Sequence, residues 1–408
     1  MSSIAFHGLT CLFQKAKMTS MQEKISHLKP FIIGITGNIG TGKSLVRKML
    51  RHFGALSLDA DELAHAAYEE GSEGFLAIRE VFGDKVIGSG GEINRQKLAE
   101  IVFEDASSLQ KLESIIHPIV TAALTSIVNR PPLPIIAVEA VKLLESSLST
   151  LCDKIWVVDT PAETLYKRLK TLRGMNEEEV NERLRNQTPL SEKSSFADQI
   201  IRNDGSVTDL WNQVTSIWNM YKEDLVPFSQ AAEISSRLLF PFESHLLIPS
   251  LENASRLENR IRNKIDNYFK WMGPEKWLSG SDKTLKEDSE SFFQLLTMTQ
   301  TWGFLDIDNP DFLFSSEVKK FAARVCGYSG KSPEIHREFP KILEIIEDYY
   351  RLQLCDKVLF PVRGKVDALL GMGYHPLEGK NKNLETQLKA EYNLYTKELE
   401  PAHSFLDG

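Results

Sequence analysis

Cysteine is scarce in this chain, and what there is forms no pattern. Cys11, Cys152, Cys326 and Cys355 are the four among 408 residues, and none belongs to a C-x-x-C pair. That excludes a disulfide framework and a cysteine-held metal, and it fits a reducing, cytoplasmic setting. Basic excess is missing as well. Lys and Arg number 48 against 56 Asp and Glu, a net charge of −8, whereas a general nucleic-acid binder needs a basic footprint. No apolar run reaches the roughly 18 residues that span a bilayer, so no membrane partner is expected. His336, His375 and His403 lie too far apart to form a helical metal pair. The His-x-Gly-His signature of nucleotidyl transfer is absent from the sequence.

What remains is a globular composition, 42% hydrophobic and 25% charged, on a chain long enough for two domains. Its most informative stretch is Phe31 to Phe53. Phe31, Ile32, Ile33 and Ile35 form a buried-strand run, and Leu45, Val46, Met49, Leu50 and Phe53 recur at helical spacing. Between them Gly37, Gly42, Lys43 and Ser44 satisfy G-x4-G-K-[ST], the spacing of a phosphate-binding loop. Glycine frees the backbone so that successive N–H groups converge on phosphate oxygens. Lys43 then offers a cation to the β and γ phosphates of ATP, and the Ser44 hydroxyl offers a ligand for Mg²⁺.

Ala55 to Leu58 reads as a second strand, with Asp59-Ala60-Asp61 at its carboxyl end, where open α/β sheets bind ligands. Asp61 is either a chemical carboxylate or the N-cap of the helix that follows. Residues 72 to 130 read as mainly helical, broken by a loop containing Gly83, Gly88, Gly90 and Gly91. Ile135 to Val138 before Glu139, and Lys154 to Val158 before Asp159, supply a third and a fourth strand. Strands alternating with helices give a parallel sheet, laid out like a nucleotide kinase. Thr164 to Gln187 is dense in charge: it is either an exposed helix pair laced with ion pairs or a lid whose arginines close over a phosphoryl group.

Several motifs in order resemble the dephospho-coenzyme A kinase family over about residues 31–225. They are Ile35 to Ser44, Asp59-Ala60-Asp61, Gly91-Glu92-Ile93-Asn94-Arg95, His117-Pro118, Cys152-Asp153 with Trp156-Val157-Val158, the Arg168 segment, Gln187, Ala197-Asp198 and Asn203-Asp204-Gly205. The resemblance implies a P-loop kinase that uses ATP and Mg²⁺ to phosphorylate the ribose 3′-hydroxyl of dephospho-coenzyme A, the last step of coenzyme A synthesis. It implies Gly37, Asn38, Ile39, Gly40, Thr41, Gly42, Lys43, Ser44, Leu45 and Asn203 as the nucleotide site, and Ser44 as a Mg²⁺ ligand. Lys43, Asp59, Asp61 and Arg168 carry over as catalytic residues, with Asp61, or Asp59 beside it, as the base. Asp61, Arg95, His117 and Arg168 carry over as acceptor contacts. This chain departs from the family pattern in Glu139, where an aspartate is common, in Val141-Lys142-Leu143-Leu144-Glu145, which replaces Pro-Leu-Leu-x-Glu, and in Arg173, one position later than its expected place in the lid.

Residues 1–30 read as an N-terminal extension, with Met18 or Met21 as alternative starts. Residues 226–250 read as a linker or a pair of edge elements. From 251 to 408 the spacing of Leu257, Ile261 and Ile265, and of Ile342, Ile345, Ile346, Tyr349 and Leu352, predicts a mainly α-helical domain, with a short strand at Val358-Leu359-Phe360. Gly327 to Ser332 ends in Gly-Lys-Ser, but Val325 takes the place of the required glycine, and a helix rather than a strand is expected before it. This half is expected to be dispensable for chemistry and to serve self-association or a protein partner.

Overall fold

A computed structural model of the chain describes residues 29–221 continuously, and in the second half 245–246, 249–250, 252–255, 296–297, 300–304, 312–319, 322–330, 333–362, 367–376 and 393–399. The N-terminal extension up to residue 28, most of the linker, Leu257, Ile261, Ile265 and His403 lie outside the described residues.

The first half begins with strand β1 (Phe31–Thr36), helix α1 (Lys43–His52), strand β2 (Leu56–Asp59) and helix α2 (Ala60–Ala66). Helices α3 (Glu73–Phe82), α4 (Arg95–Glu104) and α5 (Ala106–Asn129) lead to β3 (Ile135–Glu139) and β4 (Lys154–Asp159). Helices α6 (Ala162–Arg173), α7 (Glu177–Arg185) and α8 (Leu190–Ser194), strand β5 (Gln199–Arg202) and helix α9 (Val207–Met220) complete it. The five strands run in the order β2-β3-β1-β4-β5, every pair parallel. β1 is central. The chain crosses first to the edge at β2, comes back inward to β3 and then passes to the other side of β1, so the loop after β1 opens at the point where the strand order reverses.

Side chains of these strands alternate between two cores, as the two-residue period requires. Ile32, Ile136 and Val138 point into one with Leu63, Phe75, Leu124 and Ile127. Ile33, Ile35, Ile135 and Ala137 point into the other with Val46, Met49, Leu50, Trp211 and Val214. Each large aliphatic chain buried this way stabilises the fold by roughly 1.5–3 kcal/mol. The sequence contains no long unbroken apolar run, yet α5 is apolar and long enough to cross a membrane by length and composition. Its Ile116, Val120, Leu124 and Ile127 instead pack into the first core.

The second half contradicts its helical expectation. Strands β6 (His245–Leu246), β7 (Gln300–Phe304), β8 (Phe312–Lys319), β9 (Ala322–Gly330), β10 (Lys357–Val362), β11 (His375–Pro376) and β12 (Asn393–Glu398) accompany helices α10 (Pro333–Leu352) and α11 (Asp367–Gly371). They form a seven-stranded sheet in the order β11-β12-β10-β9-β8-β7-β6. The β9–β10 pair is parallel and the other pairs are antiparallel. Small and polar residues blur the period in FLFSSEVK and AARVCGYSG, so pairing to neighbours decides their state rather than local propensity. The Gly-Lys-Ser look-alike is overturned in its setting too: Gly327 to Gly330 sit inside β9, paired with Phe312 to Ser315. The helix through Ile342 and Tyr349 and the strand at Val358 to Phe360 match their expectation.

Residues of the second half pack into the two cores of the first. Leu352 and Leu354 join the first core, and Ala254 and Leu296 join the second. Leu354 takes a left-handed backbone with φ 57°, the one non-glycine residue to do so among the described residues.

Candidate active site

The loop after β1 is held open by fit from behind. Gly42 has φ 95°, and a Cβ there would lie 2.1 Å from Asn203 Nδ2. That amide donates to the Thr41 carbonyl at 2.7 Å, so the residue after β5 braces the loop. Ile39 N–H donates to Gln187 Oε1 at 2.9 Å. The Ile39 side chain also packs beneath Leu165 and Leu169 of α6 and Val180 of α7, which seats that helix pair on the loop. Lys43 is buried and donates to the Asn38 carbonyl at 3.0 Å. Burial lowers its pKa, with Glu139 and Asp61 pulling it back up. The buried Asn38 Oδ1 has no partner among the described residues.

Three acids stand at the carboxyl ends of neighbouring strands. Asp59 and Glu139 face each other in register. Asp59 caps α2, accepting from the N–H groups of Asp61 and Glu62, and so the N-cap is Asp59 rather than Asp61. Glu139 accepts from the Ser44 hydroxyl at 2.7 Å. Burial raises Asp59 to about 7, against the pull of Arg47. Glu139 is buried too, but Arg47 and Lys43 together hold its carboxyl below the usual range. Asp61 is exposed at the surface, and its carboxyl is raised by partial desolvation and then by Glu139, while Lys43 and Arg173 draw it down. It lines a cavity of about 340 Å³ with Tyr68, Glu113, His117 and Lys142.

No group of three or more His, Cys, Asp or Glu among the described residues is arranged to hold a metal ion. The Ser44 hydroxyl beside the Glu139 carboxylate is a pair of hard oxygen donors, which fits a Mg²⁺ completed by water and phosphate oxygens rather than a protein cage.

A strand, a glycine cradle with lysine and serine, and a raised aspartate at a cavity are what a phosphoryl-transfer enzyme needs, and relatives give that description a family. The model of the family described as dephospho-CoA kinase matches residues 31–209. The dephospho-CoA kinase of Aquifex aeolicus is 38% identical over 193 residues, which cover 47% of this chain and 98% of the relative. This chain belongs to the dephospho-CoA kinase family. The dephospho-CoA kinase of Thermobifida fusca is 37% identical over 187 residues, covering 46% of this chain and 94% of the relative. A solved structure from Thermus thermophilus, TT1252, is 34% identical and covers 47% of this chain and 97% of that one, with a TM-score of 0.42. Membership makes the first half a phosphotransferase.

Within this kinase, the expected residues divide into two groups. Gly37 to Ser44, with Asn203 behind them, form one continuous loop, and Leu45 turns into the α1 core. Arg168 reaches the same loop from α6: its Nη2 donates to Asn203 Oδ1 at 3.3 Å. Asp61 and His117 share the cavity, whereas Arg95 stands outside its wall, its guanidinium 5.7 Å above the Tyr68 ring. Arg173 is an exposed residue at the end of α6 whose charge acts on both Lys43 and Asp61.

Sequence reasoning missed four supports of the kinase site. Thr160 donates to the Thr41 carbonyl at 3.1 Å. Lys193, fully buried, donates to the Val141 carbonyl at 2.6 Å. Glu139 is noted in the sequence as a substitution but not as a site residue. Arg47 joins Glu139 and Asp59, and it carried a readable signal. It lies one turn beyond Ser44 in a helix whose next residues face the core, an odd place for a charge unless it meets acids there.

Proposed function

We propose that this enzyme transfers the γ-phosphoryl group of ATP to the ribose 3′-hydroxyl of dephospho-coenzyme A, giving coenzyme A and ADP. The observation that carries this reading is Asp61, poised between a phosphate loop whose Lys43 it senses and a cavity suited to an organic acceptor. The loop amides and Lys43 hold the nucleotide phosphates. Asp61 accepts the hydroxyl proton, and its raised pKa makes it a better base than an ordinary aspartate. His117 and Tyr68 orient the acceptor, and Arg168 and Arg173 add positive charge as the phosphoryl group moves between oxygens. Ser44 and Glu139 would hold Mg²⁺, which when bound neutralises charge on the phosphates. The free thiols of Cys152, half-buried, and Cys355, buried, support the cytoplasmic setting that this chemistry presupposes.

The decisive experiment incubates the full chain with Mg²⁺ and ATP against a panel of dephospho-coenzyme A, adenosine, nucleoside monophosphates and pantetheine. ADP release is read together with the mass of the product. Phosphorylation of dephospho-coenzyme A, and its loss by a hundredfold or more in Asp61→Asn, is the expected result, since removing a general base costs about 10²–10⁴ in rate. Preference for a nucleoside monophosphate refutes the acceptor assignment. Absence of turnover with every acceptor refutes the enzyme reading.

A further inference from the structure

Arg47 is 5% exposed and has three partners at the strand ends. Its Nε donates to Glu139 Oε2 at 2.8 Å, its Nη1 to Ser57 Oγ at 2.9 Å, and its Nη2 to Asp59 Oδ2 at 3.2 Å. Each carboxylate has a second task on its other oxygen. Glu139 Oε1 accepts from Ser44 Oγ, and Asp59 Oδ1 caps the helix on which Asp61 stands. One side chain therefore ties the phosphate side of the site to the acceptor side. A buried carboxylate (Glu139) and a half-buried one (Asp59) facing each other in register would repel and turn apart without a cation between them. A planar fork with donors in three directions can serve both at once, which a single ammonium cannot do as well.

We infer that Arg47 is a positioning residue that fixes the Ser44–Glu139 pair and the Asp59-capped Asp61 relative to each other, joining the donor and acceptor halves of the site. The inference rests on the kinase reading for its catalytic consequence, though not for its effect on nucleotide binding. Arg47 touches no reacting atom. Its loss leaves the parts present and misplaced, so it lowers turnover more than acceptor affinity and weakens the support of Mg²⁺ through Ser44 and Glu139.

The test compares Arg47→Gln and Arg47→Lys with Arg51→Gln, a buried arginine one turn further along the same helix. Thermal melting is measured first. The binding of a fluorescent ATP analogue titrated with Mg²⁺ follows, and then kcat and KM with dephospho-coenzyme A. In Arg47→Gln, the Mg²⁺ needed for half-maximal nucleotide binding rises about tenfold and kcat falls about 10–100-fold, the usual effect of losing a residue that orients metal ligands. Acceptor KM stays within about threefold, and Arg47→Lys recovers less than half of either loss on the same grounds. Arg51→Gln moves neither quantity. Parent-like Mg²⁺ dependence in Arg47→Gln, full rescue by Arg47→Lys, or equal losses in Arg51→Gln overturns the inference. Should Arg47→Gln fail to fold, Arg47→Lys decides alone: a parent-like Mg²⁺ midpoint overturns the inference, and a rise of about tenfold supports it. If the parent does not phosphorylate dephospho-coenzyme A, the kinase reading fails, and the nucleotide-binding arm still decides the role of Arg47.

Discussion

Helix α1 buries two arginines one turn apart, and it buries them differently. Arg47, near the phosphate loop, meets two carboxylates and a hydroxyl. Arg51, one turn on, is 2% exposed, and its Nε meets no acceptor among the described residues. Burial lowers the pKa of Arg51, and the groups that act on it include Tyr349 and Cys355 of the second half. His52 beside it stands 3.4 Å from the Thr297 carbonyl, also of the second half. Burial lowers the His52 pKa to about 4. Near the phosphate loop the buried charges are balanced locally. The far end of the helix is a seam, where polar groups are covered by another part of the chain. A covered charge without a carboxylate is a weak source of stability, so the seam must be held by its apolar anchors.

The largest break in this comparison comes from removing those anchors. A chain ending at Tyr221 loses Leu352 and Leu354 from one core and Leu296 and Ala254 from the other. At about 2–5 kcal/mol for each buried leucine cut to alanine, the double variant Leu352→Ala with Leu354→Ala should lose about 4–10 kcal/mol in urea denaturation. The truncated chain should be unfolded or nearly so by circular dichroism, contrary to the expectation that the second half is dispensable. A cooperative melt of the truncated chain close to that of the full chain would show the seam to be passive.

At the chemical end, Lys43→Ala should lower kcat by at least about a hundredfold, roughly 3 kcal/mol, because it removes charge stabilisation in the transition state. Its melting temperature should stay near that of the parent, whereas the seam variants reverse this order of effects. The pH dependence of stability sharpens the contrast by about 3 kcal/mol at most. His52 is neutral in the fold and has a pKa depressed from 6.5 to about 4. Its contribution is therefore fully present above pH 6.5 and is lost as the pH falls through 4. Urea midpoints measured from pH 7.5 to 4.5 should fall more steeply for the parent than for His52→Gln. Parallel slopes would take His52 out of the seam. The smallest effect is expected from Arg51→Met, which should raise stability by about 1 kcal/mol, since it removes a buried charge and keeps the packing volume. A loss of that size would instead point to an acceptor for Arg51.

How much of this was legible follows from where each signal lies. The strand, loop and helix from Phe31 to Phe53 announced themselves because periodicity and motif coincide in consecutive residues. Asp59 and Asp61 were visible as a pair, but which of them caps the helix depended on backbone geometry, and that assigned the cap to Asp59. Arg47 carried a signal as a charge in a core-facing helix, but its partner Glu139 and the partner of Lys193 lie 92 and 52 residues away, a distance that no local pattern spans. The second sheet was illegible for a related reason. β8 and β9 mix serine, glycine and charge with apolar residues, and their strand state rests on pairing with each other and their neighbours. α10 could be read because its apolar face repeats within one element.

The left-handed turn at Leu354 has a consequence for how the chain could be cut. A leucine rarely accepts that conformation, and the cost of about 1–2 kcal/mol persists only where surroundings over-determine it. Here the surroundings belong to the other half, whose core receives the leucine side chain. This turn is therefore one attachment between the halves, beside Leu352, Ala254 and Leu296. Two fragments produced separately and divided between Tyr221 and His245 should find each other in solution and restore kinase activity as a split enzyme, with Leu354 as one plug.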